Sequence, residues 1–191
     1  MRVIAGTHGG RRLNAPPGQE TRPTSDRVRE ALFSRIEALL GHIPPAPVLD
    51  LYAGSGALGI EALSRGASHA TFVERDRAAL ATLRSNLDGL HLASRAAIIP
   101  GDVVDRVKRG VSVTGPFALL FLDPPYRIDQ SEVRRLIELL MEGGSLVEGA
   151  LVVWEHGSSD DMEWPEALTD LGSRRYGDTT VSMGRLEGGV E

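Results

Sequence analysis

Apolar positions along this chain fall into two alternating patterns. Largely apolar runs at Val48–Tyr52, His69–Glu74, Ala96–Pro100, Ala118–Leu122 and Ala150–Trp154 predict five strands, the first running into a glycine loop. Between them, helical spacing predicts helices over Ala57–Arg65, Asp76–Leu87, Asp102–Lys108 and Glu132–Met141. In the last of these, Val133, Leu136, Ile137 and Leu140 share one face. Such alternation implies a parallel sheet covered by helices on both faces. The chain ends differently: Leu171–Tyr176 and Thr179–Leu186 flank Gly177-Asp178, a hairpin signal that predicts an antiparallel last pair.

The first 26 residues are rich in Gly, Pro and Arg, with extended candidates at Arg2–Ala5 and Arg11–Asn14 around His8-Gly9-Gly10. Those glycines suit a hairpin turn. Thr24-Ser25-Asp26 reads as a helix start, followed by Val28, Leu32, Ile36 and Leu39–Leu40 at helical spacing. Gly41 and the prolines at 44, 45 and 47 end that helix. Residues 1–42 therefore read as a hairpin-helix appendage, and 43–191 as the main domain.

The length of 191 residues suits one ordinary domain. No apolar run approaches the roughly 20 residues that cross a bilayer, and Met1-Arg-Val-Ile-Ala-Gly turns polar too early for a secretory signal. The chain has no cysteine, which rules out disulfides and thiolate metal sites. A cytoplasmic protein without metal or membrane partner is expected, and a monomer suits so compact a chain. The net charge of -5 is unevenly spread. Residues 1–40 hold seven arginines against four acids, so the remainder carries -8. A polyanion would meet the N-terminal segment, although a solvated arginine-rich face explains the same composition.

The loop Asp50-Leu-Tyr-Ala-Gly54-Ser-Gly56-Ala-Leu-Gly59 joins the first strand to its helix. Glycines there let the backbone approach a ligand and turn sharply. Taken alone, the spacing is also a dinucleotide fingerprint. Two carboxylates sharpen it. Glu74, at the second strand end and 20 residues past Gly54, can accept both hydroxyls of an adenosine ribose. Asp50 would repel a pyrophosphate, yet can hold the ammonium of a methionine moiety. Asp102, after the third strand, can accept from an adenine amino group or cap the following helix. S-adenosyl-L-methionine is favoured over NAD, with S-adenosyl-L-homocysteine as product. Tyr52, Ser55, Arg75 and Val103 adjoin these positions and complete the candidate cofactor contacts.

The fourth strand runs straight into Asp123-Pro124-Pro125-Tyr126. Two prolines remove amide donors and stiffen the backbone. The Asp123 carboxylate and the Pro124 carbonyl can each accept one N–H of a planar amino group, and Tyr126 can stack on a base. An ordinary Pro-Pro turn is the plain alternative. Asp-Pro-Pro-Tyr resembles the motif of methyltransferases acting on exocyclic nitrogens. Arg22-Pro-Thr-Ser-Asp-Arg-Val-Arg-Glu-Ala-Leu-Phe33, with the stretch from Asp50 to Ala67, is similar to the bacterial 16S rRNA (guanine-N2)-methyltransferase family. The resemblance covers most of the chain, while residues 156–175 add nothing to it.

That resemblance implies a Rossmann-like class I methyltransferase fold, and methylation of one guanine of 16S rRNA, free or in the assembling small ribosomal subunit. Arg11, Arg12 and Arg22 are then the candidates for phosphate contacts; Arg22-Pro23-Thr24 could instead cover the cofactor. Glu61 and Arg65, one turn apart, are expected to pair as a plain i,i+4 salt bridge. Three other readings compete. A DNA adenine-N6 methyltransferase shares the turn, but 191 residues leave little room for a target-recognition region. An NAD-dependent oxidoreductase shares the glycines, but Asp50 opposes it. A non-catalytic RNA-binding module would have no reason to keep Asp50, Glu74, Asp102 and Asp123 together.

Overall fold

The computed structural model describes residues 1–16, 26–110, 115–125, 128–157 and 163–188. Helix α1 spans Asp26–Leu40. Strand and helix then alternate: β1 (Pro47–Leu51), α2 (Ala57–Ser64), β2 (His69–Glu74), α3 (Arg77–Gly89), β3 (Ala96–Pro100), α4 (Val103–Lys108), β4 (Phe117–Leu122), α5 (Gln130–Glu142) and β5 (Leu146–Gly157). The hairpin β6 (Leu168–Tyr176) and β7 (Thr179–Leu186) closes the fold. All seven strands form one sheet in the order β3-β2-β1-β4-β5-β7-β6. β1 to β5 are parallel, and β7 lies antiparallel between β5 and β6.

Alternation along each strand divides the interior in two. On one face Val48, Leu119 and Phe121 meet Leu32, Phe33 and Ile36 of α1, Ile60 and Leu63 of α2, and Leu83 and Leu87 of α3. On the other, Leu49, Leu51, Leu120 and Leu122 meet Val103 and Val107 of α4 and Val133, Leu136, Ile137 and Leu140 of α5. Both faces are covered, as the continuous apolar strands require. Among the described residues no helix is long and apolar enough to cross a membrane.

Two strands start several residues earlier than their apolar runs. β5 begins at Leu146, because the polar Glu148-Gly149 pair forms an irregularity against β4 between Phe117 and Leu119. Gly149 takes a φ of +75° there. β6 begins at buried Leu168 and is broken by a second irregularity between Asp170 and Ser173, where Gly172 has a φ of +84°. Extra residues, three in β5 and one in β6, hide the period of two from the sequence.

The N-terminal pairing forms where expected but is minimal. Val3 N donates to Arg11 O at 2.9 Å, Gly10 N to Val3 O at 2.9 Å and Leu13 N to Met1 O at 3.0 Å, around a 3-10 turn at Gly6–His8. A single bridge joins Arg2 and Arg12. Val3 and Leu13 are buried in the same cluster as α1, α2 and β2, so this unit shares the core. Glu61 fastens it: its carboxylate accepts from Ile4 N at 2.7 Å and Ala5 N at 3.0 Å, and pairs with Arg65 Nε at 2.8 Å. The expected salt bridge is present, and the same fully buried group also holds two backbone amides.

Candidate cofactor and base site

Strand order reverses between β1 and β4, since β1 leads outward to β2 and β3 whereas β4 leads to β5. In open α/β sheets, ligands bind beyond the carboxyl ends of the strands at such a switch point. The glycine loop leaves β1 on one side of it, and Asp123-Pro124-Pro125 leaves β4 on the other.

The loop is held open by its own carboxylates. Glu74 Oε2 accepts from Gly54 N at 2.8 Å, while Oε1 accepts from Arg75 N at 2.7 Å and Asp76 N at 2.8 Å. A carboxylate has about four acceptor positions, so Glu74 keeps capacity for a further donor. Asp50, 2% exposed, accepts from Gly59 N at 2.9 Å through Oδ2. Burial raises its carboxyl to about 8; the Gly59 amide opposes the shift and the charge of Glu74 adds to it. Tyr52, at a φ of +61°, and Gly54, at +55°, turn the chain sharply.

The glycines differ in what fixes them. A Cβ on Gly56 would strike Leu83 Cδ1 at 2.3 Å, and one on Gly59 would strike Phe72 Cε1 at 2.4 Å. Both are packing requirements. A Cβ on Gly54 would meet nothing within 4 Å. The open space lies at the loop's tip, where a ligand would pass. The Tyr52 hydroxyl is sealed from solvent without a partner. Burial first, and then the charges of Asp102 and Glu132, push its acidity further from neutrality, so it stays a neutral donor. An open cradle beside an unsatisfied hydroxyl fits a polar ligand.

Other cofactor candidates sit close by with structural duties of their own. Asp102 caps α4, Oδ1 accepting from Val104 N at 3.0 Å and Asp105 N at 3.4 Å, while Oδ2 pairs with Arg75 at 3.2 Å. Val103 opens α4 and is buried in the core. Ser55 is buried, and its carbonyl accepts from Asn86 Nδ2 at 3.0 Å. Asn86, which the sequence reading passed over, also accepts from Asn14 N at 2.8 Å and donates to Asn14 O at 3.1 Å. It ties the N-terminal segment to the tip of the glycine loop. The only sign in the sequence is a polar residue on the apolar face of α3, between Leu83 and Leu87.

Across the switch point, Asp123 and Pro125 are exposed and Pro124 is half-buried. With Ile128, Gln130, Trp154, Glu155, His156 and Gly157 they line one pocket. Its second wall is the end of β5, which pairs Leu122 with Trp154 and so sets Glu155 beside Asp123. Both polar atoms of Gln130 and the Trp154 Nε1 are sealed without partners. His156 is tied down, Nδ1 to Gly157 O at 2.9 Å and Nε2 to Ser182 Oγ at 2.8 Å. No motif or spacing in the sequence points to this wall. Tyr126 and Arg22 lie outside the described residues. Arg11 Nη2 donates to Gly89 O at 3.2 Å, closing the last turn of α3, and Arg12 is exposed. Among the described residues, no group of three or more metal-ligating side chains could hold an ion.

The family model described as Conserved hypothetical protein 95 matches residues 1–185. YlbH of Bacillus subtilis is 39% identical over 98% of this chain and all of its own. Ribosomal RNA small subunit methyltransferase D of Escherichia coli is 38% identical over 81% of this chain and 74% of its own. Among solved structures, yhhF of Escherichia coli superposes with a TM-score of 0.82 at 33% identity, covering 98% of each chain. An RNA methyltransferase from Salinibacter ruber in complex with S-adenosyl-L-homocysteine shares the fold at 19% identity, with a TM-score of 0.59 over 85% of this chain and 94% of its own.

Proposed function

The chain belongs to the Conserved hypothetical protein 95 family, together with the ribosomal RNA small subunit methyltransferase D enzymes, and we propose that it methylates the exocyclic N2 of a guanine in 16S rRNA. The observation that carries this reading is the convergence of the glycine loop and the Asp-Pro-Pro turn on one switch point. S-adenosyl-L-methionine, when bound, supplies the electrophilic methyl group. Glu74 accepts the ribose hydroxyls with its remaining capacity, and Gly54 gives the ligand room. Asp50 meets the ammonium of the methionine moiety, and Arg75 and Asp102 flank the adenine end.

An exocyclic amine is a poor nucleophile because its lone pair is delocalised into the ring. Asp123 and the Pro124 carbonyl accept its two hydrogens, which favours a pyramidal nitrogen and stabilises the positive charge that develops on it. Pro125 stiffens the turn and Tyr126 stacks on the base. Their remaining task is alignment at roughly 3–3.5 Å from the methyl donor. The guanine must leave its stack, which costs least in an RNA loop or junction. Arg11, Arg12 and Arg22 grip phosphates around the target, either on naked rRNA or on an assembling small subunit in the cytoplasm. A single copy of the chain suffices for all these roles.

The test is transfer of labelled methyl to unmodified small-subunit rRNA, free and in particles, followed by nucleoside analysis. N2-methylguanosine is expected, and Asp123→Ala should lower turnover about 10²–10³-fold while S-adenosyl-L-homocysteine still binds. N6-methyladenine formed on DNA, with no methylated guanosine on either RNA substrate, overturns the reading.

A further inference from the structure

Asn86 is a buried carboxamide whose three bonds go to two segments that meet different ligands. It is 3% exposed and lies on α3 among Leu83 and Leu87. Its Oδ1 accepts from Asn14 N at 2.8 Å, while Nδ2 donates to Asn14 O at 3.1 Å and to Ser55 O at 3.0 Å. Both amide hydrogens are thereby spent. Asn14 ends the second extended stretch of the N-terminal unit, and Ser55 follows Gly54 at the tip of the glycine loop. Arg11 fastens the other end of that stretch, Nη2 donating to the carbonyl of Gly89, the last residue of α3. Between these two anchors Leu13 is buried and Arg12 is exposed. A guanidinium carries five N–H donors, so Arg11 keeps others for a phosphate while it holds the helix. A second contact reaches the same loop residue. Ser55 Oγ donates to Met1 Sδ at 4.0 Å, and Met1 Sδ also accepts from Arg29 Nη1 at 3.4 Å. Ser55 is therefore held to the N-terminal unit through both its carbonyl and its hydroxyl, whereas Gly54 beside it is held by Glu74.

We infer that Asn86 is a positioning residue that couples RNA contact to cofactor binding. The inference rests on the reading above, in which Arg11 and Arg12 grip RNA and the loop at Gly54 receives the cofactor. Lifting Asn14 from α3 takes away two of the three partners of Asn86 and leaves buried polar atoms unsatisfied, which is costly. The Asn14 backbone, the carboxamide and the Ser55 carbonyl therefore hold or release together. Phosphates bound at Arg11 and Arg12 keep the stretch on α3, and with it Asn86 on Ser55 O. The loop is then already ordered when the cofactor arrives, so the cofactor binds more tightly. Linkage makes the effect mutual, and the cofactor tightens RNA by the same factor. An apolar residue at position 86 would fill the same space on α3 but join neither segment.

Equilibrium dialysis with labelled S-adenosyl-L-homocysteine measures its Kd with and without saturating small-subunit rRNA, supplied in the form, free or in particles, that accepts methyl. The ratio of the two Kd values is the readout. A strut that merely stabilises the fold moves both values together and leaves the ratio alone. In the wild type, RNA should tighten the ligand about tenfold. Asn86→Ala removes all three bonds, and its ratio should fall below about twofold. Asn14→Pro deletes only the amide that Asn86 accepts from, at an exposed position, and spares the bond to Ser55 O. Its affinity for S-adenosyl-L-homocysteine without RNA should stay within about twofold of wild type, while its ratio falls at least about threefold. Urea unfolding shows whether each variant is folded under the assay conditions, and Asn14→Pro decides alone if Asn86→Ala is not.

Arg12→Ala removes a phosphate contact and no bond to α3, so it should weaken RNA binding yet keep the wild-type ratio once RNA saturates. A collapsed ratio in that variant would show that grip alone sets it, and would overturn the role of Asn86. A wild-type ratio below about twofold, or a wild-type ratio retained in folded Asn86→Ala, overturns it as well. Failure of the wild type to bind small-subunit rRNA or to form N2-methylguanosine overturns the underlying reading instead.

Discussion

Replacing Asp50 with asparagine removes one titration while leaving the shape of the glycine loop intact. The Asp50 carboxyl is 2% exposed and accepts from Gly59 N at 2.9 Å. An asparagine carbonyl can take the same hydrogen bond, and its NH2 stands where a protonated acid carries O–H. Burial raises the Asp50 carboxyl from an ordinary 3.8 to about 8. Between those values the folded chain keeps a proton that the unfolded chain releases. The group's stabilising contribution is therefore complete below the unfolded value and drains away as pH rises toward the folded one. Each pH unit in that window costs about 1.4 kcal/mol.

From about pH 5.5 to about pH 7.5, the wild type should thus lose about 2–3 kcal/mol relative to Asp50→Asn. Urea unfolding of both proteins at each pH measures this difference and cancels every titration they share. A gap that moves by less than about 0.5 kcal/mol would show Asp50 already ionised in the free fold, and the reasoning from burial would fail. The same titration governs ligand affinity. An ammonium beside Asp50 binds the ionised form, so S-adenosyl-L-homocysteine affinity of the wild type should rise about tenfold per pH unit below about pH 8. Calorimetry on Asp50→Asn should give weaker binding with no such slope.

Two further perturbations separate packing from binding. Glu61→Ala strands the Ile4 and Ala5 amides and strips Arg65 of one partner; a loss of about 3–5 kcal/mol in urea unfolding is expected. Gly59→Ala drives a methyl into the Phe72 ring and should destabilise by about 1–3 kcal/mol. Gly54→Ala meets no protein atom and should cost only the roughly 1–2 kcal/mol of its left-handed backbone. Calorimetry should nonetheless find its S-adenosyl-L-homocysteine affinity at least about tenfold weaker, a loss out of proportion to its stability.

Much of the fold was legible because burial on both faces of a parallel strand writes an apolar run. β2, β3 and β7 have the bounds that the sequence predicts, β1 is shifted by one residue toward the N-terminus, and β4 begins one residue earlier. Where a bulge interrupts the period, as at Glu148-Gly149 and Gly172, the run breaks and the strand start is lost. The glycines were legible as a set, but not in their separate roles. The sequence treats Gly54, Gly56 and Gly59 alike, whereas only the packed fold tells Phe72 and Leu83 pressing on two of them from open space at the third. Asp102 could be read as a cap or a ligand contact, and the cap is visible at Val104 N and Asp105 N.

What stayed hidden is whatever depends on strand order. Alternating strands and helices say that a sheet exists, but not that the fifth strand lies beside the fourth. That adjacency brings Glu155 next to Asp123 across a gap of 32 residues in sequence. No spacing rule links the two positions, and the residues around Glu155 look like the end of an apolar strand. The long-range duties of the buried polar residues stayed hidden for a related reason, although the Glu61–Arg65 pair itself was legible. Asn86 and Glu61 sit on helix faces that otherwise read as core, and their purpose lies in partners 72 and 57 residues away. A motif records the groups that meet within one loop. A pocket needs groups from several, so its walls become readable only once topology has placed the strands side by side.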